Sequence, residues 1–426
     1  MIRLTLTLTK LLIILLVLAT IATPFLVFDL EPRVERPTSL SPAKLQDSKQ
    51  TANKLATLLA SRTPSNLQLH INELRSAFDA FSYSTPLIDV TGDITPWGAA
   101  LTASVELAIK EYKLYLNISC LVINDLDGLT FEQCRLGHLP LAGAVVEMTL
   151  DWGLGKFVGT ESQQLWRKLK SHTHIQGESL LISNIVGHEL QQGIRNSLSE
   201  ATALSATGEP MDTELISAYL TDLENFSSPD NRLDDYIQYL FSKVAQRSEL
   251  NSAQSVAYHN RAALWAMAIK LGHRRFAYLV GLPRLSISNP NLTLKGRGDL
   301  ALHFVYSVGL QLASGMEISF NLGEMKEVLD ANRGGSGFSF ADLVADTAGN
   351  LFATHLSQAT PEVIKATQIL AHRADENLYM PSITRKQEGL SQAEFQRQFG
   401  STDSDKYQAE VAAIHNEILA LPLYRN

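Results

Sequence analysis

The sequence contains little cysteine: Cys120 and Cys134 are the only two among its 426 residues. This scarcity excludes a disulfide-stapled miniprotein and a cysteine-rich zinc module, and it allows one disulfide bridge at most. A block of basic residues is also missing, because the formal net charge of −8 is spread along the chain. We therefore expect no nucleic-acid partner.

Three familiar motifs begin in the sequence but are incomplete. His188-Glu189 starts the zinc-binding pattern H-E-x-x-H, but Gln192 stands where the second histidine is needed. Residues 334–337, Gly-Gly-Ser-Gly, lack the Lys-Ser/Thr of a phosphate-binding loop. A calcium loop starting at Asp330 would need glutamate at its twelfth position, where Ala341 stands. These departures exclude the corresponding zinc, nucleotide and EF-hand sites.

The longest apolar run lies near the N-terminus. Arg3 and Lys10 precede residues 11–28, an uncharged stretch near the lower length limit for crossing a bilayer. Acidic residues follow it, so the positive-inside rule places the short N-terminus in the cytoplasm and the remaining chain outside. The run predicts an uncleaved anchor over residues 1–28, and hence a single-pass bacterial inner-membrane protein whose bulk is periplasmic. A cleaved signal peptide is the alternative, although residues 19–22 form no clean A-x-A site.

The next two segments differ in character. Residues 29–50 contain prolines, scattered charge and few large apolar residues, which is typical of a linker without a fold of its own. Between residue 51 and about residue 81 apolar residues recur at helical spacing, with a break at Pro64. This pattern predicts a hairpin of two short amphipathic helices.

The apolar period then changes to two, as expected for half-buried strands, from residue 99 to 107 and from 114 to 122. Cys120 and Cys134 are each seven residues from Asp127, so a hairpin turning there would place them nearly opposite each other. We predict a cross-strand disulfide in an oxidising compartment, with two buried thiols as the alternative. Together with the preceding helices these strands define a domain over residues 51–192.

From about residue 195 to the C-terminus at 426 the pattern is helical, with apolar residues at helical spacing and a break and cap at residues 228–230. The length and the 45% hydrophobic content suffice for two domains with real cores. The predicted fold class is therefore α+β: a single N-terminal transmembrane helix, a β-rich domain with a curved antiparallel sheet, and a C-terminal all-α domain.

Ionisable residues gather between residues 299 and 349 on predicted helix faces. Side chains three or four positions apart stack on one face of a helix, so three packed helices would bring an imidazole and several carboxylates together. Such carboxylates either share protons or bind a cation, and oxygen-rich sites suit Mg, Mn or Ca rather than zinc. The candidate roles are catalytic for His303 and Glu327, ligand-binding for Asp299 and Ser307, and metal-ligating for Asp330, Asp342 and Asp346. The alternative is that these residues form helix caps and ion pairs, with Ser339 or Asp342 capping the third helix.

The same stretch resembles a known family. Asp299-x-x-x-His303-Phe304-x-x-Ser307, followed by Lys326-Glu327-x-x-Asp330 and by Gly335-Ser336-Gly337-Phe338-Ser339-Phe340-x-Asp342-x-x-x-Asp346-x-x-Gly349, resembles the YfiM-type envelope proteins and, more distantly, the VanZ family. The resemblance covers residues 299–349. It implies a cell-envelope protein without naming a reaction.

A second, local resemblance covers residues 85–190, where Leu136-Gly137-His138-Leu139-Pro140 is similar to a segment of YpmS-like extracytoplasmic domains. It implies a curved sheet whose apolar face holds lipid. We therefore expect an envelope protein that binds a lipid-like ligand or an envelope partner. The alternative is a metal-dependent or acid–base hydrolase or transferase acting on a cell-envelope component such as a glycan.

Overall fold

The protein is described from a computed structural model. The described residues are 26–37, 42–85, 88–95, 97–109, 112–205, 212–282, 285, 289–314, 337–384 and 386–425. They divide into two compact units. The sheet unit holds the described residues up to Pro37 together with Asp47–Lys156 and Gln163–Gln191, and the helical unit holds the described residues within Thr38–Gln46, Phe157–Ser162 and Gln192–Asn426.

An antiparallel meander forms the centre of the sheet unit, in the order β3-β4-β5-β6-β7, with β1 also paired to β5. Its strands are β1 (Phe28–Asp29), β3 (Ile88–Thr95), β4 (Gly98–Ile109), β5 (Tyr112–Asp125), β6 (Gly128–Leu136) and β7 (Leu139–Ala142). Because side chains alternate along a strand, one face of β4 and β5 is aliphatic and the other is largely polar. The alternation of apolar and polar residues in the sequence therefore corresponds to the two faces of this sheet.

The disulfide prediction is confirmed. Cys120 on β5 and Cys134 on β6 are register partners in neighbouring strands and are joined by a disulfide. Asp125 pairs with Gly128 at the end of the same hairpin, so the turn lies where the glycine predicted it. The bridge ties two strands whose cysteines are 14 residues apart in the chain.

The segment predicted as a linker is structured in large part, which corrects that prediction. Residues 31–37 cross the polar face of the sheet, where the hydroxyl oxygen of Ser104 accepts hydrogen bonds from the backbone N–H groups of Arg33 and Val34, both at 3.0 Å. Asn117, which is fully buried, donates to the carboxylate of Asp29 at 2.7 Å. Two buried polar side chains of the sheet thus find their partners in this segment, which a free linker would not supply.

The predicted helical hairpin is also wrong. One helix, α1, spans Pro42–Ala60, but Pro64–His70 forms a strand, β2, and the next helix, α2 (Ile71–Ser84), begins only after it. β2 pairs with β9 (Ser179–Val186), which also pairs with β8 (Thr173–Gln176) in a second sheet. Helices α3 (Gly143–Gly153), α4 (Thr160–His172) and α5 (Gly187–Ser205) complete this part of the chain.

The helical unit is built around α8 (Ala253–Met267), in which every side chain from Ala262 to Met267 is buried. The remaining helices are α6 (Thr213–Glu224), α7 (Leu233–Arg247), α9 (Gly298–Ser314), α10 (Phe340–Ser357), α11 (Pro361–His372), α12 (Gln392–Phe399) and α13 (Asp405–Leu419). Asn260 is the buried polar residue of α8, and its amide donates to the backbone oxygen of Leu356 and to the hydroxyl of Thr367, both at 2.9 Å. The central helix is therefore fixed to two neighbours by hydrogen bonds as well as by apolar packing.

The transmembrane part of the predicted fold class is not borne out. None of the helices in the described part of the chain is long and apolar enough to cross a membrane. The predicted anchor lies outside the described residues except for residues 26–28, and Phe28 belongs to β1, where it pairs with Leu116 of β5. The apolar run therefore does not continue as a helix to residue 28, and the fold class is corrected to α+β with antiparallel sheets and many helices.

The disulfide should contribute measurably to stability. Closing a loop of this length restricts the unfolded chain and is worth about 3 kcal/mol. We expect reduction, or the double variant Cys120→Ala/Cys134→Ala, to lower the free energy of unfolding in urea by that amount. Reductant should leave the double variant unchanged, and equal urea midpoints of the oxidised and reduced native protein would contradict the prediction.

Candidate functional site

The candidate site lies where α9 and α10 cross. α10 begins after Ser339, whose hydroxyl oxygen accepts a hydrogen bond from the backbone N–H of Asp342 at 3.1 Å, as an N-cap residue does. A Cβ atom placed on Gly349 would lie 2.2 Å from the backbone oxygen of Phe304 on α9. Glycine therefore permits the close approach of the two helices at this point.

His303 on α9 lies between two carboxylates of α10. Its Nδ1 atom is 3.1 Å from Oδ1 of Asp346, and its Nε2 atom is 3.3 Å from Oδ2 of Asp342. All three side chains are largely buried, with 12% of the His303 side chain exposed, 13% of Asp342 and 6% of Asp346. Both ring nitrogens of the imidazole are thus engaged by α10.

Ser307 lies one turn after His303 and joins the same network. Its hydroxyl donates to Oδ1 of Asp346 at 2.8 Å, so one carboxylate oxygen receives both the serine and the histidine. The other oxygen of Asp346 is buried and has no hydrogen-bond partner among the described residues. Ser307 contacts Asp346 and lies beside Gly349, whereas His303, one turn earlier on α9, contacts Asp342 and Asp346. Later residues of α9 thus contact later residues of α10, so the two helices run in the same direction here.

Arg297 completes the network from outside and was missed by the sequence analysis. Its guanidinium lies 3.7 Å from Asp342 and 2.6 Å from Glu388, and it also pairs with Asp299. Half of the Asp299 side chain is exposed, and the hydrogen bond from Arg297 lowers the pKa of Asp299. The predicted ligand-binding residue Asp299 therefore contacts Arg297 at the rim of the site.

The network contains two cations and four carboxylates, because Arg297 is shared among Asp299, Asp342 and Glu388. Two cationic groups, Arg297 and protonated His303, face two buried carboxylates, Asp342 and Asp346. Buried charges are tolerated when they are paired and hydrogen-bonded in this way. Arg297 also pairs with Asp299 and Glu388 at the rim of the site, so His303 is the cation whose pairs in this network are with Asp342 and Asp346 alone.

The environment of His303 fixes its protonation state. Burial opposes a charged imidazole, whereas the hydrogen bonds to Asp342 and Asp346 favour it. The hydrogen bonds prevail and raise the pKa of His303 to about 10. At neutral pH the ring therefore carries both protons and donates one to each carboxylate, so it has no free lone pair with which to act as a general base.

The remaining predicted roles stay predictions. Glu327 and Asp330 lie outside the described residues, so the structure places neither beside His303. Within the described part of the chain, no group of three His, Cys, Asp or Glu side chains is arranged to hold a metal ion. Of the predicted set, the structure brings together His303, Ser307, Asp342 and Asp346, and it leaves a divalent cation such as Mg, Mn or Ca untested.

A second candidate site lies in the sheet unit. A cleft of about 690 Å³ opens beside β1 and β5, and its lining includes Phe28, Leu30, Arg33, Leu114 and His138. At its polar end, Nε2 of His138 lies 3.0 Å from Oδ1 of Asp29. The two residues are more than a hundred positions apart, and no short-range pattern in the sequence connects them.

The aliphatic face of the same sheet is buried at one end and partly exposed at the other. Ala99 and Val122, which are register partners, are buried together with the disulfide. Towards the other end the register partners Val105 and Leu116 are only half-buried. The half-buried members of this face are Leu101, Ala103, Val105, Leu107, Leu114, Leu116 and Ile118. We call residues 103–107 and 114–118 of this face the open half.

Comparison with known proteins gives no match of any kind: no family model, no curated protein and no solved structure matches this chain. The resemblance of residues 299–349 to YfiM-type proteins and the weaker resemblance to YpmS-like domains therefore stay predictions.

The charge of His303 should make stability depend on pH. Its pKa is about 10 in the folded protein and near 6.5 when unfolded, so its contribution is complete below about pH 6.5 and is lost as the pH rises towards 10. His303→Gln leaves two buried carboxylates without their cation and should lower the free energy of unfolding at about pH 6 by roughly 3–5 kcal/mol. Urea unfolding at several pH values measures the difference.

The difference between native protein and His303→Gln should shrink steadily as the pH rises from about 6.5 to about 10. His372→Gln is the matched control, because His372 is exposed. A loss of stability for His303→Gln that is the same at every pH would show that the ring is not a buried cation.

Gly349 should tolerate no larger side chain. Gly349→Ala forces a methyl group against the backbone oxygen of Phe304, and we expect overpacking to cost about 2 kcal/mol in urea unfolding. Gly153→Ala is the control, since a Cβ there has no neighbour within 4 Å and alanine favours helix. Equal stability of Gly349→Ala and the native protein would mean that α9 and α10 are not in close contact at this position.

Proposed function

We propose that this chain is an extracytoplasmic envelope protein without enzymatic activity, in which the sheet unit binds a lipid-like ligand and the helical unit is a rigid scaffold. The observation that carries the proposal is the open half of the aliphatic sheet face. A cell-envelope hydrolase or transferase is the rival function. The location, the ligand and the absence of catalysis are all parts of the proposal.

The open half supports a ligand with an acyl chain. Aliphatic side chains on two adjacent strands, with Val105 directly opposite Leu116, give a continuous surface without a charged member. The same face is fully buried at its other end, so the sheet is one that packs apolar material closely. Apolar surface gains about 25 cal/mol for every Å² removed from water, and an extended hydrocarbon chain is the ligand that would gain most along such a face.

The cleft beside β1 supports a ligand with a polar end. Leu114 belongs both to the open half and to the cleft lining, so the two surfaces meet at this residue. Arg33 and His138 stand at the polar part of this cleft, next to Asp29. An amphiphile could therefore place its chain on the open half and its polar group in the cleft.

The disulfide supports an extracytoplasmic location. Disulfides persist in oxidising compartments such as the periplasm and are rare in the cytosol. The bond between Cys120 and Cys134 lies on the aliphatic face itself, at its buried end. A protein that carries ligand on this face would thus be stabilised by a bond that is rare in the cytosol.

The ionic site weighs against the hydrolase. A general base must be able to accept a proton from the reacting group, whereas His303 is fully protonated at neutral pH and bound on both sides. The helical unit is better suited to fixing two helices than to transferring protons. We expect the His303→Gln variant to bind as much lipid as the native protein at a temperature where the variant is folded.

Bound lipid provides the direct test of the proposal. The full chain is purified, extracted with organic solvent and analysed by mass spectrometry for lipid in a ratio near one per chain. Leu116→Asn places an amide in the open half and should reduce the bound lipid at least fivefold. Leu126→Asn is the matched control, because Leu126 is 98% exposed in the turn between β5 and β6.

Thermal unfolding followed by circular dichroism shows whether Leu116→Asn is folded at the temperature of purification. The proposal fails if the native protein carries no lipid, or if folded Leu116→Asn carries as much lipid as Leu126→Asn. Hydrolysis or group transfer that is abolished by His303→Gln in folded protein would favour the rival function instead.

A further inference from the structure

Helix α3 presents an apolar stripe to solvent. Val145, Met148 and Trp152 have 45%, 67% and 58% of their surface exposed. They occupy positions i, i+3 and i+7, which lie on one face of a helix. Large apolar side chains collected on one exposed face mark an interaction surface more often than a scattered set does.

The opposite face of α3 is fixed to the sheet unit by polar contacts. The carboxylate of Glu147 accepts hydrogen bonds from the backbone N–H of Phe131 at 3.0 Å and from the hydroxyl of Thr130 at 2.9 Å. It also pairs with Lys170 of α4 at 2.8 Å. The helix cannot turn its apolar stripe inward without breaking these contacts.

Asp151 strengthens this orientation one turn later. Both of its carboxylate oxygens accept hydrogen bonds from Arg167 of α4, at 2.6 Å each, and Gln163 donates to Oδ2 at 2.8 Å. These partners lower the pKa of Asp151, with the Arg167 hydrogen bond as the main cause. Both acids of α3 are therefore neutralised by α4, and they flank the stripe without adding an unpaired negative charge to it.

Most basic residues near the stripe are paired with acids. Residues 143–172 contain four lysines or arginines and three acids, and three of the cations form ion pairs: Arg167 with Asp151, Lys168 with Glu189 and Lys170 with Glu147. Lys156 follows Trp152 by one turn and is exposed. An apolar stripe that contains tryptophan and ends in an exposed lysine is typical of helices that lie in the headgroup region of a bilayer.

We propose that α3 contacts the surface of a lipid bilayer through Val145, Met148 and Trp152, with the helix lying flat at the boundary between headgroups and acyl chains. Tryptophan prefers this boundary because one edge of its ring is apolar and its N–H can reach water or headgroups. This contact does not depend on the ligand on the open half. It would nevertheless bring the proposed lipid-binding face to the membrane that contains lipid.

The test reports the surroundings of a single residue, so it works with the full chain whatever else in the chain associates with vesicles. Met148→Cys is labelled with the environment-sensitive fluorophore NBD, while the two native cysteines are joined to each other and do not react. Leu126→Cys, labelled in the same way, is the matched control. Both proteins are mixed with vesicles of phosphatidylcholine and phosphatidylglycerol in a ratio of three to one.

On vesicles, we expect the label at residue 148 to increase at least threefold in fluorescence, to shift to shorter wavelength and to be quenched by lipids brominated on their acyl chains. The label at residue 126 should remain in water. Trp152→Glu in the Met148→Cys background should reduce the response at least threefold, because it places a charge in the stripe, and its far-ultraviolet circular dichroism should be unchanged.

A label at residue 148 that stays in water while the protein is bound to vesicles would overturn the proposal. A label that is already shielded before vesicles are added would also overturn it, because another part of the protein would then cover the stripe. Lipid extracted from the native protein is measured separately, so the absence of membrane contact by α3 is distinguishable from the absence of ligand on the open half.

Discussion

The packing of α9 against α10 depends on one buried cation. Asp342 and Asp346 lie one turn apart on the face of α10 that meets α9, in a part of the helical unit whose buried side chains are mostly apolar. Two carboxylates cannot remain charged there without compensation, because the desolvation of each costs several kcal/mol. His303 supplies the compensation by donating from both ring nitrogens. Gly349 then allows the helix backbones to come close enough for these short side chains to meet.

This arrangement explains why the ionic site is poorly suited to acid–base chemistry although its residues are those of many catalytic sites. Catalysis by a histidine requires a pKa near the working pH and a nitrogen that can lose or gain a proton. The same carboxylates that bury His303 securely also hold its pKa far above neutral. The contacts that stabilise the charged ring also keep it from accepting a proton. The geometry therefore favours an ion pair over a general base.

The sequence predicted those features that depend on local spacing. The i, i+4 pattern placed His303 and Ser307 on one face of α9 and Asp342 and Asp346 on one face of α10, and the helices do meet through these faces. The disulfide was predicted from equal distances to a turn, which is also a local argument. Neither prediction required knowledge of how distant segments of the chain come together.

The features that the sequence analysis missed depend on partners far away in the chain. Residues 64–70 continue the helical spacing of the segment after them, but β9, more than a hundred residues later, recruits them as a strand. Phe28 ends an apolar run that predicted a spanning helix, yet its backbone pairs with Leu116. Arg297 was missed because it lies just before α9, where a helical pattern cannot show that its guanidinium reaches Glu388. In each case a distant contact overrode a local preference.

The helical unit contains a closed ionic site, whereas the sheet unit has apolar side chains in contact with water. This difference favours separate roles for the two units. In the helical unit, the largely buried carboxylates of Asp342 and Asp346 are matched by His303, which fixes α9 against α10 and leaves the imidazole without a free nitrogen. In the sheet unit, aliphatic side chains of the open half and of α3 remain in contact with water while the polar residues Asn117 and Glu147 are fully occupied. Exposed apolar surface is costly for a protein unless something else covers it. The open half and the stripe of α3 are therefore the surfaces at which a lipid-like ligand and a membrane should be sought.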